Sequence, residues 1–197
     1  MRTLEFWFDF GSTYSYPAAM RVEALAASRG VALAYRPFLL GPIFRLQGWS
    51  DSPFNLNPRR GAYMWRDVER ICAGLGIPFR RPSSFPRNGL LAARVCCAHE
   101  GEPWIPAFVR AVFDANFARD REIAEPATIA ACLEPLGLDP GRALAAAGAQ
   151  PAKDLLRART DEAERRGVFG APTWFAGDEL FWGNDRLEAA LDWLERP

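Results

Sequence analysis

Two serines that directly follow an apolar segment form the first pattern in this sequence that could do chemistry. In residues 4–10 the apolar positions 4, 6, 8 and 10 alternate with three others, and Ser12-Thr13-Tyr14-Ser15 comes after Gly11. Alternation with a period of two predicts a strand, and the helical pattern that follows predicts a helix from about residue 13. The first turn of a helix has unpaired N–H groups and a positive dipole, which favour an anion at Ser12. Capping of the helix is the alternative explanation for this serine.

A proline-led segment far along the chain favours anion binding over simple helix capping as the role of Ser12. Gly167-Val168-Phe169-Gly170-Ala171-Pro172 precedes a short apolar strand. A strand, a helical first turn and a distant proline before a hairpin are the layout of a thioredoxin-like thiol site. Ser12 and Ser15 stand where a redox protein has Cys-x-x-Cys, so the site can hold a thiol but does not supply one. We expect Ala171-Pro172 to be a cis peptide that faces Ser12, with the Ala171 backbone available to an extended, peptide-like ligand.

The energetics of a thiolate at this position are favourable. A thiol with a pKa of about 8.5 is only a few per cent ionised at pH 7, and lowering that pKa by two units requires about 2.7 kcal/mol. A helix N-terminus contributes roughly 0.3–2 kcal/mol, and one hydrogen bond to a charged sulfur about 1.5–3 kcal/mol. The two contributions together are therefore sufficient, whereas neither is reliably sufficient alone.

Composition excludes several classes of function. The 197 residues suffice for one domain with a sizeable core. The 24 basic and 24 acidic residues cancel, which gives no reason to expect a nucleic acid or a membrane as partner. No apolar run reaches the length of about 20 residues that a membrane-spanning helix needs. Glu5 and Asp9 interrupt the N-terminal segment, so it is not a signal peptide, and we expect a cytoplasmic protein.

The cysteines and the histidine restrict the chemistry further. Cys72, Cys96, Cys97 and Cys132 form no Cys-x-x-Cys, and their spacing fits neither a zinc site nor a disulfide framework. We interpret them as buried free thiols. His99 is the only histidine and is interpreted as a surface residue. No metal site is predicted, and a hydrolase would lack its usual general base.

The order of predicted elements gives the fold class. A strand, a helix over about 13–29 and a second strand over 31–38 form a parallel βαβ unit. Helical periodicity prevails from about 57 to 167, and residues 39–56 are irregular and long enough to be a functional loop. Strands return at 173–176 and 179–182 around a Gly177-Asp178 turn, and Gly183-Asn184-Asp185 opens a last helix. We therefore predict an α/β protein with a thioredoxin-like βαβ…ββα fold, residues 1–45 and 165–197, interrupted by an all-helical insertion, residues 46–164.

Two further groups of residues are candidates for binding. Asn184 and Asp185 could hold an α-amino and an α-carboxyl group, as the γ-glutamyl end of glutathione requires, although simple helix capping would also explain them. The second group suits a flat aromatic acid whose carboxylate pairs with Arg45. Its aromatic members could equally belong to the core. The group comprises Phe44, Arg45, Trp49, Asn55, Trp65, Phe85 and Asn88.

Four motifs together resemble a known family. They are residues 8–16, Ser52-Pro53-Phe54-Asn55, residues 167–173 and residues 177–187. Over nearly the whole chain the sequence resembles the 2-hydroxychromene-2-carboxylate isomerases, whose family includes the kappa-class glutathione transferases and is similar to DsbA in fold. The resemblance implies that Ser12 holds the glutathione sulfur, that Ala171-Pro172 pairs with the cysteinyl backbone, that Asn55 faces the substrate, and that the γ-glutamyl end is held by Trp182, Gly183, Asn184 and Asp185. Thr13 replaces a common proline, and Arg45 stands about where a lysine is usual.

The same resemblance implies a reaction and leaves alternatives open. The reaction is the glutathione-dependent interconversion of 2-hydroxychromene-2-carboxylate and trans-o-hydroxybenzylidenepyruvate, in which reversible addition of a thiolate makes a conjugated C=C bond free to rotate. No histidine is needed for it. A kappa-type glutathione transferase or peroxidase acting on another electrophile, or a non-catalytic DsbA-like thiol-binding module, are the alternatives. A dithiol oxidoreductase is disfavoured because Ser12 and Ser15 cannot form a disulfide. A homodimer is expected from the resemblance alone.

Overall fold

Four strands form one mixed sheet in a computed structural model that describes residues 2–196. The strands are β1 (Thr3–Phe8), β2 (Ala32–Pro37), β3 (Thr173–Ala176) and β4 (Glu179–Trp182), in the spatial order β2-β1-β3-β4. β1 runs parallel to β2, from Thr3 opposite Ala32 to Phe8 opposite Pro37, and antiparallel to β3. The Gly177-Asp178 turn joins β3 to β4 as predicted. The thioredoxin-like α/β class is therefore confirmed.

Ten α-helices surround the sheet in the part of the chain that the structure describes, and seven of them lie between β2 and β3 beyond residue 52. They are α1 (Ser15–Ser28), α2 (Leu40–Leu46), α3 (Pro53–Leu56), α4 (Pro58–Leu75), α5 (Leu90–Ala98), α6 (Ile105–Phe117), α7 (Pro126–Leu133), α8 (Pro140–Gly148), α9 (Gln150–Arg165) and α10 (Leu187–Leu194), with 3-10 turns at Glu134–Leu136 and Asn184–Arg186. Asn57 and Asp139 cap α4 and α8, because their side chains accept first-turn N–H groups. Among the described residues, none of these helices is long and apolar enough to cross a bilayer.

Three predicted boundaries are wrong. Residues 39–56 are not irregular, because they contain α2 and α3. Helix α1 begins at Ser15 rather than near residue 13, since residues 11–14 form turns. The 3-10 turn at Asn184–Arg186 precedes α10, which begins only at Leu187.

One aromatic core joins the sheet to the helical block. Phe6 stacks on Trp174 with ring centroids 4.6 Å apart, and Phe10 packs against Phe113 of α6 at 5.1 Å. The helical insertion therefore packs on the same core as the strands, and it can support the residues at the end of β1. The division at residues 45/46 and 164/165 stays a prediction, and α2 spans the first of these boundaries.

Candidate active site

A cavity of about 1290 Å³ opens at the C-terminal end of β1. It is surrounded by the turn before α1, helices α2 and α3, the first turns of α4, the segment before β3 and the loop after β4. Ordinary small-molecule pockets measure about 300–1,000 Å³, so this cavity has room for two small molecules side by side. Its position agrees with the tendency of open α/β sheets to bind ligands at the carboxyl ends of strands.

Ser12 lies on one wall of this cavity and faces the proline segment. Its hydroxyl donates a hydrogen bond to the carbonyl oxygen of Ala171 at 3.0 Å and accepts one from the Ser15 N–H at 3.3 Å. The Ala171-Pro172 peptide is cis, as predicted. Ala171 lines the cavity with Ser12, whereas Pro172 lies behind it. The sequence therefore placed these two distant segments correctly against each other.

The Ser12 hydroxyl can donate a hydrogen bond to an anion and still accept the hydrogen bond from the Ser15 N–H. Ser12 is 8% exposed, and the bond that it accepts from Ser15 resembles a helix cap. Both explanations of this serine, capping and anion binding, are thus compatible with its position. An anion in the cavity would replace the Ala171 carbonyl as acceptor of the hydroxyl proton, and a hydrogen bond to a charged acceptor is the stronger of the two.

A buried arginine holds the segment before Ser12 from behind. The Arg87 guanidinium forms an ion pair with Asp120 and donates to the Asn116 side chain at 3.3 Å, and the Asn116 amide donates to the Phe10 carbonyl at 3.0 Å. Hydrogen bonds from the Ser83 backbone and from Arg87 lower the pKa of Asp120 to about 2. The helical insertion thereby fixes the backbone two residues ahead of the reactive hydroxyl.

The Asp9 carboxylate lines the cavity floor and bridges two segments. One oxygen accepts the Gly11 N–H at 2.7 Å, and the other accepts the Leu40 N–H at 2.8 Å. Burial raises the pKa of Asp9, and the two N–H donors oppose that rise. The sequence did not identify Asp9 as a site residue, although ligands of open α/β sheets bind at the carboxyl ends of strands.

The loop after β4 forms the wall beyond Ala171. Trp182 is 51% exposed, packs against Phe169 with ring centroids 4.9 Å apart, and lies so close to Gly170 that a Cβ there would be 2.5 Å from the indole nitrogen. The Gly183 carbonyl accepts the Trp174 indole N–H at 2.9 Å. The position of the Trp182 indole therefore requires a residue without a Cβ at position 170.

Asn184 and Asp185 both line the cavity but differ in solvent exposure. Asn184 is buried, and its side-chain oxygen accepts from Arg21 at 3.2 Å. Asp185 is exposed and is paired with Arg186 at 3.4 Å. Neither side chain caps the 3-10 turn or α10, so capping does not explain their presence. Their predicted role in binding a γ-glutamyl group stays a prediction.

Three arginines line the opposite side of the cavity. Arg45 lines the cavity from α2, not from the irregular segment that the sequence predicted there, and Arg59 and Arg60 lie in the first turn of α4. Within residues 2–196 none of the three guanidinium groups forms an ion pair. Sequence analysis missed Arg59 and Arg60, although two cations at the positive end of a helix dipole are unfavourable without an anion nearby. That unfavourable placement is the signal that could have identified them.

The predicted aromatic cluster divides between cavity and core. Phe44, Trp49 and Phe85 line the cavity, and so does Asn88. Trp65 is buried behind Phe85, with ring centroids 4.9 Å apart.

The expectation for Asn55 differs from what the structure shows. Asn55 is exposed and is not among the residues that line the cavity. Its amide instead donates to the Asp51 carboxylate at 3.0 Å and to the Phe85 carbonyl at 3.1 Å, and both of those residues do line it. Asn55 therefore stabilises two cavity-lining residues by hydrogen bonds without lining the cavity itself, because its side chain on α3 points toward the loop that carries Phe85.

The chain itself provides no reactive thiol at the cavity. All four cysteines are free and buried, as predicted. Burial raises the pKa of Cys72, Cys97 and Cys132 to about 11 and that of Cys96 well above its usual value. No cluster that could hold a metal ion occurs among the described residues.

His99 lies away from the cavity. It is partly buried rather than on the surface, and its ring packs against Trp104 with centroids 5.1 Å apart. The single histidine therefore takes no part in this site.

Comparisons with known proteins agree with this geometry. The family model of the DSBA-like thioredoxin domain matches residues 3–195. A 2-hydroxychromene-2-carboxylate isomerase from Sphingobium xenophagum is 33% identical over 196 residues, 98% of each chain, and human glutathione S-transferase kappa 1 is 28% identical over 95% of this chain and 88% of its own. A solved 2-hydroxychromene-2-carboxylate isomerase superposes with a TM-score of 0.83 at 29% identity, covering 98% of this chain and 96% of its own.

Proposed function

This chain belongs to the DSBA-like thioredoxin family and to the family of the 2-hydroxychromene-2-carboxylate isomerases, and from that membership we propose that it is a glutathione-dependent isomerase. We propose further that it interconverts 2-hydroxychromene-2-carboxylate and trans-o-hydroxybenzylidenepyruvate, and that Ser12 stabilises the glutathione thiolate. The relatives and the solved isomerase support isomerase activity for this chain.

A single observation supports the role of Ser12 most strongly. Its hydroxyl reaches across the cavity wall to the residue before the cis proline, at 3.0 Å, in a chain whose own four thiols are buried. A thioredoxin-like site without a reactive cysteine needs a sulfur from elsewhere. Ser12 is then positioned to donate a hydrogen bond to that sulfur as a thiolate. It lies three residues ahead of the first residue of α1, where the helix dipole also favours an anion.

The residues around Ser12 fit the shape and charges of glutathione. The tripeptide is extended, with a zwitterionic γ-glutamyl end and a carboxylate at the other end. Ala171 would offer backbone to the cysteinyl residue. Trp182, Gly183, Asn184 and Asp185 line the same cavity and would hold the γ-glutamyl end. Arg59 and Arg60 offer unpaired positive charge to a carboxylate. The cavity volume of about 1290 Å³ leaves space for a second molecule.

The remaining residues suit the aromatic acid. Phe44, Trp49 and Phe85 supply flat apolar surface, and Arg45 can pair with the carboxylate. Glutathione supplies a thiolate whose reversible addition to the conjugated acid lets the former double bond rotate. The protein's part is to keep the sulfur ionised through Ser12, to hold the acid through Arg45, and to stabilise negative charge that develops on the acid.

A kappa-type transferase activity is the second candidate. The 28% identity with human glutathione S-transferase kappa 1 over most of both chains favours it. The same Ser12 wall would serve it, and only the electrophile would differ. A homodimer and a cytoplasmic location remain predictions.

The experiment that tests the proposal measures isomerisation of 2-hydroxychromene-2-carboxylate by absorbance. We expect turnover with glutathione and none with S-methylglutathione, which has the same shape but cannot form a thiolate. Equal rates with and without the thiol would contradict the proposal. Conjugate accumulation with an electrophile such as 1-chloro-2,4-dinitrobenzene, without isomerisation, would favour the transferase.

A further inference from the structure

Helix α2 begins without a cap of its own. Its N-cap residue is Leu39, whose side chain cannot accept a hydrogen bond. The N–H of Leu39 donates instead to the Thr160 hydroxyl of α9 at 3.2 Å, and the N–H of Leu40 donates to the Asp9 carboxylate at 2.8 Å. A helix of seven residues is unstable by itself, so these tertiary contacts decide where α2 begins.

The other oxygen of the same carboxylate holds the turn that carries Ser12. Asp9 accepts the Gly11 N–H at 2.7 Å, and the Asp9 carbonyl accepts the Ser12 N–H at 3.0 Å. The turn has little freedom to move, since a Cβ at Gly11 would already lie 2.8 Å from the Arg87 carbonyl. One carboxylate thus touches both the turn and the start of α2.

Helix α2 carries one of the three arginines on the far side of the cavity. Arg45 lies in its last turn and Phe44 precedes it, and both line the cavity that Ser12 faces. The buried face of α2 is anchored by Ile43, which packs among Trp7 and Phe38. That contact keeps the helix on the protein but does not set the position of its first turn relative to Ser12.

We propose that Asp9 is the positioning residue that fixes α2, and with it Arg45, relative to the Ser12 turn. A negative charge at the first turn of α2 also complements the helix dipole. The spacing between the group that holds the sulfur and the group that holds the acid is thereby set by one side chain. The effect of Asp9 on catalysis rests on the proposed function. Its effect on the position of α2 does not.

Two substitutions at Leu40 isolate the contact to α2. Leu40→Pro removes the N–H that Asp9 accepts, at a first-turn position where proline is tolerated, whereas Leu40→Ala removes the same side chain and keeps the N–H. We expect Leu40→Pro to raise KM for the acid, and the dissociation constant of the unreactive analogue trans-2-hydroxycinnamate, about tenfold relative to Leu40→Ala. The pKa of bound glutathione should be the same in the two Leu40 variants, because Asp9 still accepts the Gly11 N–H and so still holds the turn that carries Ser12. Equal affinity for the analogue in both variants would overturn the proposal.

Asp9→Ala tests the whole bridge without relying on the fold of the proline variant. It should raise KM for the acid and also the pKa of bound glutathione, because the turn and the helix both lose their acceptor. Asp9→Glu, which keeps the charge, should restore part of the affinity for the analogue. Hydrogen exchange read by mass spectrometry should become faster across residues 40–46 in Asp9→Ala.

The outcomes separate this inference from the proposed function. If the wild-type protein neither isomerises the acid nor binds trans-2-hydroxycinnamate, the proposed function fails. The exchange rate across residues 40–46 still decides the role of Asp9 in that case. Unchanged exchange there in Asp9→Ala would overturn the positioning role, whatever the activity.

Discussion

The two sides of the cavity are built in opposite ways. On one side Ser12, Thr13 and Asn184 are buried, and hydrogen bonds from Ser15, Arg21 and the Arg87 network hold that wall in place. On the other side the three arginines at positions 45, 59 and 60 are exposed, and they form no ion pair within the described residues. The difference indicates a division of labour: a rigid wall that must stabilise a sulfur anion, and an adaptable basic rim that attracts acids.

The largest expected effect comes from the rigid wall. Ser12→Ala removes the donor to the sulfur, and we expect turnover to fall roughly 10- to 100-fold, the value of one hydrogen bond to a charged group. The matched control is Ser15→Ala, since the Ser15 hydroxyl is buried without a partner and does not line the cavity. Steady-state kinetics and thermal melts of both variants provide the measurement. Turnover that falls equally in both would remove the distinction between Ser12 and its surroundings.

The basic rim should give a smaller effect of a different kind. Arg45→Gln should raise KM for the aromatic acid roughly 2- to 5-fold with less change in kcat, because an exposed ion pair contributes mainly to binding, by up to about 1 kcal/mol. Arg142→Gln on α8, outside the cavity, is the control. A fall in kcat with KM unchanged would place Arg45 in the chemical step and break the proposed division between the sides.

Gly170 offers a way to disturb the glutathione end without touching a polar group. Gly170→Ala places a Cβ 2.5 Å from the Trp182 indole nitrogen, so the half-exposed ring must move. We expect a several-fold higher KM for glutathione and little change in that for the acid. Gly74→Ala, in α4 with open space around its Cβ, should instead stabilise the protein by roughly 0.5–1 kcal/mol. Unchanged KM for glutathione in Gly170→Ala would remove Trp182 from the site.

The smallest effect is a pH dependence of stability behind the rigid wall. The folded-state pKa of Asp120 is lowered to about 2 from an ordinary value of 3.8, so its stabilisation is complete above the ordinary value and is lost as the pH falls through the folded one. Asp120→Asn should lower Tm at neutral pH because the buried Arg87 then keeps only Glu122, at 3.4 Å, of its two carboxylate partners. The difference in Tm between the two proteins should narrow as the pH falls from about 4 to about 2. A constant difference would mean that the Asp120 charge does not support the wall.

The rigid wall was largely predictable from the sequence, whereas only Arg45 of the rim was. A strand ending at a serine and a proline before a hairpin are local patterns, and the thioredoxin-like fold brings them together, so Ser12 and Ala171 were found. Arg59 and Arg60 follow Asn57-Pro58, a pattern that marks a helix start. Reading this pattern only as a helix start left the unfavourable position of two positive charges in the first turn unnoticed. The orientation of Asn55 depends on tertiary contacts with Asp51 and Phe85, which no local pattern encodes. The irregular appearance of residues 39–56 has the same cause, because α2 takes its capping contacts from Asp9 and Thr160.

The most direct test of the central claim is the pKa of the glutathione thiol on the protein, measured from the ultraviolet absorbance of the thiolate across a pH series. We predict that this pKa lies about two units below the free value of about 8.5 in the wild-type protein, and that it rises by about one unit or more in Ser12→Ala. A bound thiol that ionises as it does in free solution, or equally in both proteins, would contradict the account.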